Sequence, residues 1–187
     1  MALLKTAAHA IDDRVMAKST TTPTAAVTAM PSLRPSRESD GEFFYGVLKQ
    51  TMLQFIVQTW GAWDDSRVQQ EALEFGASCD GQVIEVDGSR VGILLTRQAS
   101  DHVYVRLLCI APEFQRRGIG SLVVNALASR AAVQGQSLRL RVMACNPARV
   151  FYDALGFEAT EVTPQFVYMQ RASQTVECSS SLPRITS

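Results

Sequence analysis

The stretch Pro112–Ser121, PEFQRRGIGS, sets two arginines directly ahead of two glycines separated by one residue. Before it runs Val103–Ile110, VYVRLLCI, apolar enough for a central strand, and Pro112 ends that strand because proline has no ladder donor. After it Ile119, Leu122, Val123, Ala126 and Leu127 recur at helical spacing up to Gly135. Where a strand hands over to a helix, the first helical amides have no partner, and together they carry about half a positive charge. Such a place attracts phosphate. Gly118 and Gly120 let a ligand's oxygens reach the backbone without meeting a Cβ atom, and Arg116 and Arg117 add charge-assisted bonds at the rim. Spacing alone fits an ordinary helix start with solvated arginines equally well. Two nucleotide motifs are excluded: a dinucleotide fingerprint needs a third Gly or Ala where Val123 stands, and the Gly-Lys-Ser/Thr of a P-loop is absent.

Working outward, SLRLRV alternates Leu138, Leu140 and Val142 with outward Arg139 and Arg141, so strand, loop, helix and strand follow in the order of a right-handed crossover. NPARVFYDALGF then offers Asn146 as a cap, Pro147 at the first helical position and Gly156 as a left-handed stop. A short strand pair between Phe157 and Met169 closes the domain. Upstream, Ser39 and Glu42 have capping-box spacing ahead of Phe44, Val47, Leu48, Phe55 and Ile56, which predicts a first helix. A second helix starts at Asp64 or Asp65 and carries Val68, Ala72 and Leu73 on one face. Asp87-Gly88 sits between two β-rich runs and predicts a tight hairpin turn.

The bounds agree with one domain. The chain has 187 residues, with 18 Lys plus Arg against 18 Asp plus Glu. That balance gives no bias toward nucleic acid or an anionic membrane. Cys79, Cys109, Cys145 and Cys178 form no CxxC pair, and two histidines cannot complete a zinc site; no metal is expected, and the cysteines read as thiols of a reducing compartment. No apolar run approaches the ~18 residues of a membrane helix, and the N-terminus has no apolar signal core. The expectation is a soluble, cytoplasmic protein. Residues 1–30, rich in Ser, Thr, Ala and Pro, and residues 172–187 are expected to be flexible tails around a domain at 31–171.

These residues carry a family resemblance. CIAPEFQRRGIGSLVVNAL resembles the coenzyme-A-binding signature of the GCN5-related N-acetyltransferases, Q/R-x-x-G-x-G/A, which Gln115, Arg116, Arg117, Gly118, Ile119 and Gly120 occupy in full. NPARVFYDALGF resembles the family's next motif, LRPSRESDGEFFYGVLKQTM its first strand and helix, and QTWGAWDD is similar to a stretch that bacterial members carry before the second helix. The resemblance implies an α/β (α+β) fold with a mixed central sheet, splayed between the fourth and fifth strands and flanked by helices. It implies acetyl-CoA as co-substrate, with Gln115–Ser121 around the pyrophosphate, the backbone of Cys109 and Ile110 pairing with the pantetheine arm, and Asn146 contacting that arm. It also implies Tyr152 as the acid that protonates the departing thiolate, a role suited to a phenol that keeps its proton at neutral pH. As a residue, Tyr152 fits a core aromatic between Phe151 and Leu155 as well. The implied reaction is direct acetyl transfer to a primary amine of a small molecule or of a peptide or protein; the alternative is a regulatory module that binds coenzyme A without transfer.

The acceptor side is poorly specified. Trp60 and Trp63, between the first two helices, and Tyr104 on the central strand are candidates for acceptor contact, the tryptophans equally for core packing. Glu113, Asp64, Asp65 and Glu71 are candidate bases, each readable as a loop charge or helix cap. His102 opens the central strand at its inactive end, so no histidine stands ready to activate Cys109 or Cys145 as a nucleophile. The acceptor amine stays unidentified, and the chain is expected as a monomer or homodimer.

Overall fold

The computed structural model describes residues 30–78 and 80–173; the two expected tails lie almost wholly outside them. In chain order the elements are β1 (Ser32–Pro35), α1 (Gly41–Trp60), α2 (Asp65–Gly76), β2 (Gly81–Val86), β3 (Ser89–Gln98), β4 (His102–Ile110), α3 (Ile119–Val133), β5 (Ser137–Met143), α4 (Ala148–Ala154), β6 (Glu158–Val162) and β7 (Phe166–Arg171). They build one seven-stranded sheet in the order β1-β2-β3-β4-β5-β7-β6. β4 and β5 are parallel neighbours joined through α3, while every other pair is antiparallel. The mixed, helix-flanked sheet is the fold class that the motifs imply.

Two cores follow from this layering. α3 and α4 cover one face, packing Val123, Val124, Leu127 and Tyr152 on Leu108, Ile110, Leu138 and Leu140. α1 and α2 cover the other, with Phe44, Leu48, Met52 and Val68 against Ile93, Leu95, Leu107 and Cys109. Leu73 departs from its predicted role and is 46% exposed, while Ala126 is exposed and Val124 and Ala131 are buried in its place.

β4 changes face along its length. Leu95 pairs with Leu107 but Thr96 pairs with Val105, so Arg106 is an extra residue with no β3 partner. Before this bulge the odd residues Val103 and Val105 enter the α3–α4 core; beyond it the even residues Leu108 and Ile110 do. A bulge bends its strand and sharpens the twist. At the same place the pairing with β5 stops: it runs from His102↔Ser137 to Val105↔Leu140 and no further, although both strands continue. The expected splay between the fourth and fifth strands therefore coincides with the bulge at Arg106.

The predicted turns form as read. Asp87 and Gly88 both have positive φ, 51° and 75°, as the two-residue hairpin between β2 and β3 requires. Asp64 caps α2, accepting from the Arg67 N–H at 3.0 Å. The start of α1 is different. Ser39 is not its cap: residues 38–40 form a 3-10 turn, and Asp40 stands immediately before the helix. Asp40 wins that position because Arg34 of β1 grips both its oxygens, Nη1 at 2.7 Å and Nη2 at 2.9 Å, while the Arg37 N–H donates at 2.9 Å and Arg90 adds a contact at 3.2 Å. Arg34 also reaches Glu85 through Nε at 2.7 Å.

With its side chain only 3% exposed, Asp40 has a carboxyl held well below its ordinary 3.8, first by the Arg34 hydrogen bonds. A carboxyl depressed in the folded state contributes stability that is whole above about pH 4 and lost as pH falls below it. Arg34→Met removes both short guanidinium bonds and leaves this buried charge with the Arg37 N–H and the Arg90 contact at 3.2 Å. It is expected to cost about 3 kcal/mol at pH 7 in urea unfolding and to flatten the loss of stability below pH 4.

Candidate functional site

The segment after β4 builds a cleft from backbone. The Ala111 N–H still bonds the Val91 carbonyl of β3 at 2.9 Å. Pro112–Phe114 then form a single 3-10 turn, and the chain passes through two left-handed residues, Arg116 at φ 56° and Gly118 at φ 80°, before α3 begins. Glycine adopts this conformation without strain, whereas a residue with a Cβ pays roughly 1–2 kcal/mol. The strain at Arg116 is invisible in the sequence and is typical of binding loops. No side chain caps the start of α3, so its first amides face a cleft of about 290 Å³.

One wall of that cleft carries Ile110, Gln115, Arg116, Gly118, Ile119, Gly120 and Ser121, seven of the expected coenzyme-A residues. The opposite wall is α4, through Pro147, Val150, Phe151 and Ala154. Those four were not anticipated, although their three- and four-residue spacing marks one helix face. The Gln115 side chain braces the loop: its Nε2 donates to the Ile110 carbonyl at 2.8 Å and ties the loop to the end of β4. Arg117 lies outside the cleft wall, donating to the Glu113 carbonyl at 2.7 Å with its guanidinium over the Phe114 ring.

Behind the cleft lie the other expected residues. Cys109 is fully buried on β4. Asn146 is 3% exposed; its Oδ1 accepts from the N–H of Ala148, the first residue of α4, at 2.9 Å, while Pro147, expected as the first helical residue, itself takes the cap position. Its Nδ2 is buried without a hydrogen-bond partner among the described residues. A buried amide donor costs about 1–3 kcal/mol when unsatisfied, so this position suits a ligand carbonyl. Tyr152 is 0% exposed and sits edge-on to Phe151 and Phe157. Burial first, then the neighbouring Cys109, push its phenol well above the usual tyrosine value, so it stays protonated at neutral pH.

Gly92 on β3 is a residue the sequence reading missed. A Cβ there would lie 2.5 Å from the Cys109 carbonyl oxygen and 2.9 Å from Ile110 Cδ1, so only glycine lets β3 press against the floor of the site.

On the α1–α2 face, Trp60 at the end of α1 tilts against Phe166 of β7 with ring centroids 6.0 Å apart. Trp63 is turned aside, its Nε1 donating to Asp65 at 2.8 Å. Tyr104 is half-buried, and desolvation raises its phenol. Three of the four candidate bases, all but Glu113, are engaged elsewhere. Asp65 is held at about 2, first by the Tyr45 hydroxyl and then by Lys49, Asp64 caps α2, and Glu71 pairs with Arg67 at 3.2 Å. Cys109 and Cys145 are in no disulfide, and His102 bonds Asp101 at 2.7 Å at the far end of β4. No group of three metal-ligating side chains exists among the described residues, and none of their helices is long and apolar enough to cross a membrane.

Residues 54–169 match the family model of the acetyltransferase (GNAT) domain. The chain belongs to the GNAT acetyltransferase family. An acetyltransferase from Thermus thermophilus superposes with a TM-score of 0.63 at 19% identity, covering 79% of this chain and 99% of that one. The PaiA N-acetyltransferase of Thermoplasma acidophilum, solved in complex with coenzyme A, superposes with a TM-score of 0.58 at 16% identity over 76% and 98%. At such identities the likeness is one of fold. A stretch of 87 residues is 26% identical to the mouse cysteine-rich protein 2-binding protein, spanning 46% of this GNAT chain and 11% of the mouse protein.

Proposed function

We propose that this GNAT protein is an acetyl-CoA-dependent N-acetyltransferase that moves the acetyl group directly from the thioester to a primary amine. The observation that carries the proposal is the end of β4–β5 pairing at Val105↔Leu140, beside the uncapped amides of α3. An open strand edge accepts an extended, amide-bearing arm as an added strand, and the amides at Gly118–Gly120 suit its diphosphate. The buried Nδ2 of Asn146 supplies a further donor to the arm. When bound, acetyl-CoA supplies an activated acyl carbon and a thiolate leaving group.

The chain's own residues do the rest. β4 amides near Cys109 and Ile110 polarise the carbonyl where charge develops. The new C–N bond forms as the C–S bond breaks, Tyr152 gives its phenolic proton to the departing sulfur, and the proton lost by the amine returns to the phenolate through water. Holding both reactants in the gap contributes several kcal/mol through orientation alone.

Purified protein with acetyl-CoA and a panel of amines is expected to release free thiol, and saturating acetyl-CoA to raise the melting temperature. Absence of both overturns the proposal. A melting shift without turnover of any amine would instead support a coenzyme-A-binding regulatory module.

A further inference from the structure

We infer that Gln115 is a positioning residue of the acetyl transfer: its carboxamide fixes the spacing between the open edge of β4 and the diphosphate cradle at the start of α3. This rests on the transferase reading above.

Hydrogen-bond parity along β3 and β4 says which backbone groups face the gap. The Ala111 N–H donates to the Val91 carbonyl at 2.9 Å. In an antiparallel pair, opposed residues that exchange hydrogen bonds alternate with opposed residues that do not. Stepping back from Ala111, Cys109 opposite Ile93 is a bonded pair, whereas Ile110 opposite Gly92 and Leu108 opposite Leu94 are not. Leu108 and Ile110 therefore turn their N–H and C=O groups away from β3, to the side on which β5 stops pairing after Val105↔Leu140. Cys109 keeps its backbone on β3. Going from the start of α3 into the gap, Ile110 comes first and Leu108 next.

The Ile110 carbonyl on this edge is held by Gln115 Nε2 at 2.8 Å. The neighbouring backbone is poorly placed to supply that donor. Pro112 has no N–H, and the turn after it closes on itself: Phe114 donates to Ala111 at 2.8 Å and Gln115 to Pro112 at 3.2 Å. A side chain that reaches back across the turn does it instead. Gln115 is followed at once by Arg116 at φ 56°, and Gly118 at φ 80° then opens the helix. One hydrogen bond thus joins the strand edge to the cradle, and the second lone pair of the Ile110 carbonyl stays available.

That junction matters because the ligand's diphosphate and thioester lie at the two ends of one covalent arm. Any change in the spacing of cradle and strand becomes a displacement of the thioester from the Leu108 N–H, the deeper of the two donors. A displacement of about 1 Å can cost on the order of 100-fold in rate. Affinity is gathered along the whole arm and is far less sensitive.

Gln115→Leu removes the donor at similar side-chain size, and Gln115→Arg supplies another donor for the same carbonyl; Gln115→Ala replaces the leucine variant if that protein fails to fold. Calorimetric titration of coenzyme A into Gln115→Leu is expected to give a Kd within about threefold of wild type, while kcat for any amine turned over falls about tenfold or more. Gln115→Arg should recover most of kcat. NMR of 15N-labelled protein needs no turnover. In wild type the Leu108 amide resonance is expected to move further with acetyl-CoA than with coenzyme A, which lacks the acetyl carbonyl; in Gln115→Leu the two ligands should shift it equally. An acetyl-specific shift that survives in Gln115→Leu, affinity and kcat that fall together, or no recovery in Gln115→Arg overturns the inference and leaves the transferase reading standing. Coenzyme A that does not bind the wild-type protein removes that reading and this inference with it.

Discussion

Replacing Gly120 with valine is expected to weaken acetyl-CoA binding by about 100-fold or more, equivalent to losing two charge-assisted hydrogen bonds. Gly120 is the second residue of α3, buried, and lines the cleft. A valine side chain there would stand between the ligand and the uncapped amides without disturbing the helix, since valine costs well under 1 kcal/mol more than alanine at a helical position. Arg116→Ala is expected to weaken binding by less than about tenfold, because an exposed charge at a rim is screened by solvent. Alanine also keeps a Cβ at φ 56°, so this variant removes the charge and leaves the loop's strain as it was. Isothermal titration of both variants, with far-UV circular dichroism as a check on folding, compares them directly. If Arg116→Ala proves the more damaging, the site works by side-chain charge and the backbone-cradle account is wrong.

Tyr152→Phe is expected to lower kcat about 100-fold while KM for acetyl-CoA stays near the wild-type value, the pattern of a lost general acid. The ring is retained, so its edge-on contacts with Phe151 and Phe157 persist. The pH profile gives a second check. Burial, and then Cys109, raise the Tyr152 phenol well above its ordinary 10.0, so the wild-type kcat should show no loss attributable to this acid below about pH 10. The same shift stabilises the fold below the unfolded tyrosine value, and that contribution disappears only as pH climbs past it. Equal kcat in the two proteins would assign Tyr152 to packing alone and favour a module that binds coenzyme A without transfer.

Legibility differed from element to element for physical reasons. The Asp87-Gly88 turn and the Asp64 cap depend on a few adjacent residues, and both form as read. The start of α1 was misread at Ser39, because Asp40 is selected by Arg34 six residues away and by Arg90 fifty residues away. Leu73 matches a helical face by spacing yet remains 46% exposed, since period alone does not say which neighbours a face will find. In the cleft, the glycines were visible as a motif. The α4 wall, the tie from Gln115 to Ile110 and the close approach at Gly92 were not.

What the sequence determined by itself is the order of elements and the backbone chemistry of residues 112–121, because glycine, proline and helical period act over a few residues. What only the tertiary structure decided is where that chemistry can be used. The bulge at Arg106 and the end of pairing at Val105↔Leu140 open the sheet beside the uncapped start of α3. Bulge and register arise from strands competing for partners across the whole sheet, and that competition involves residues far apart in the chain.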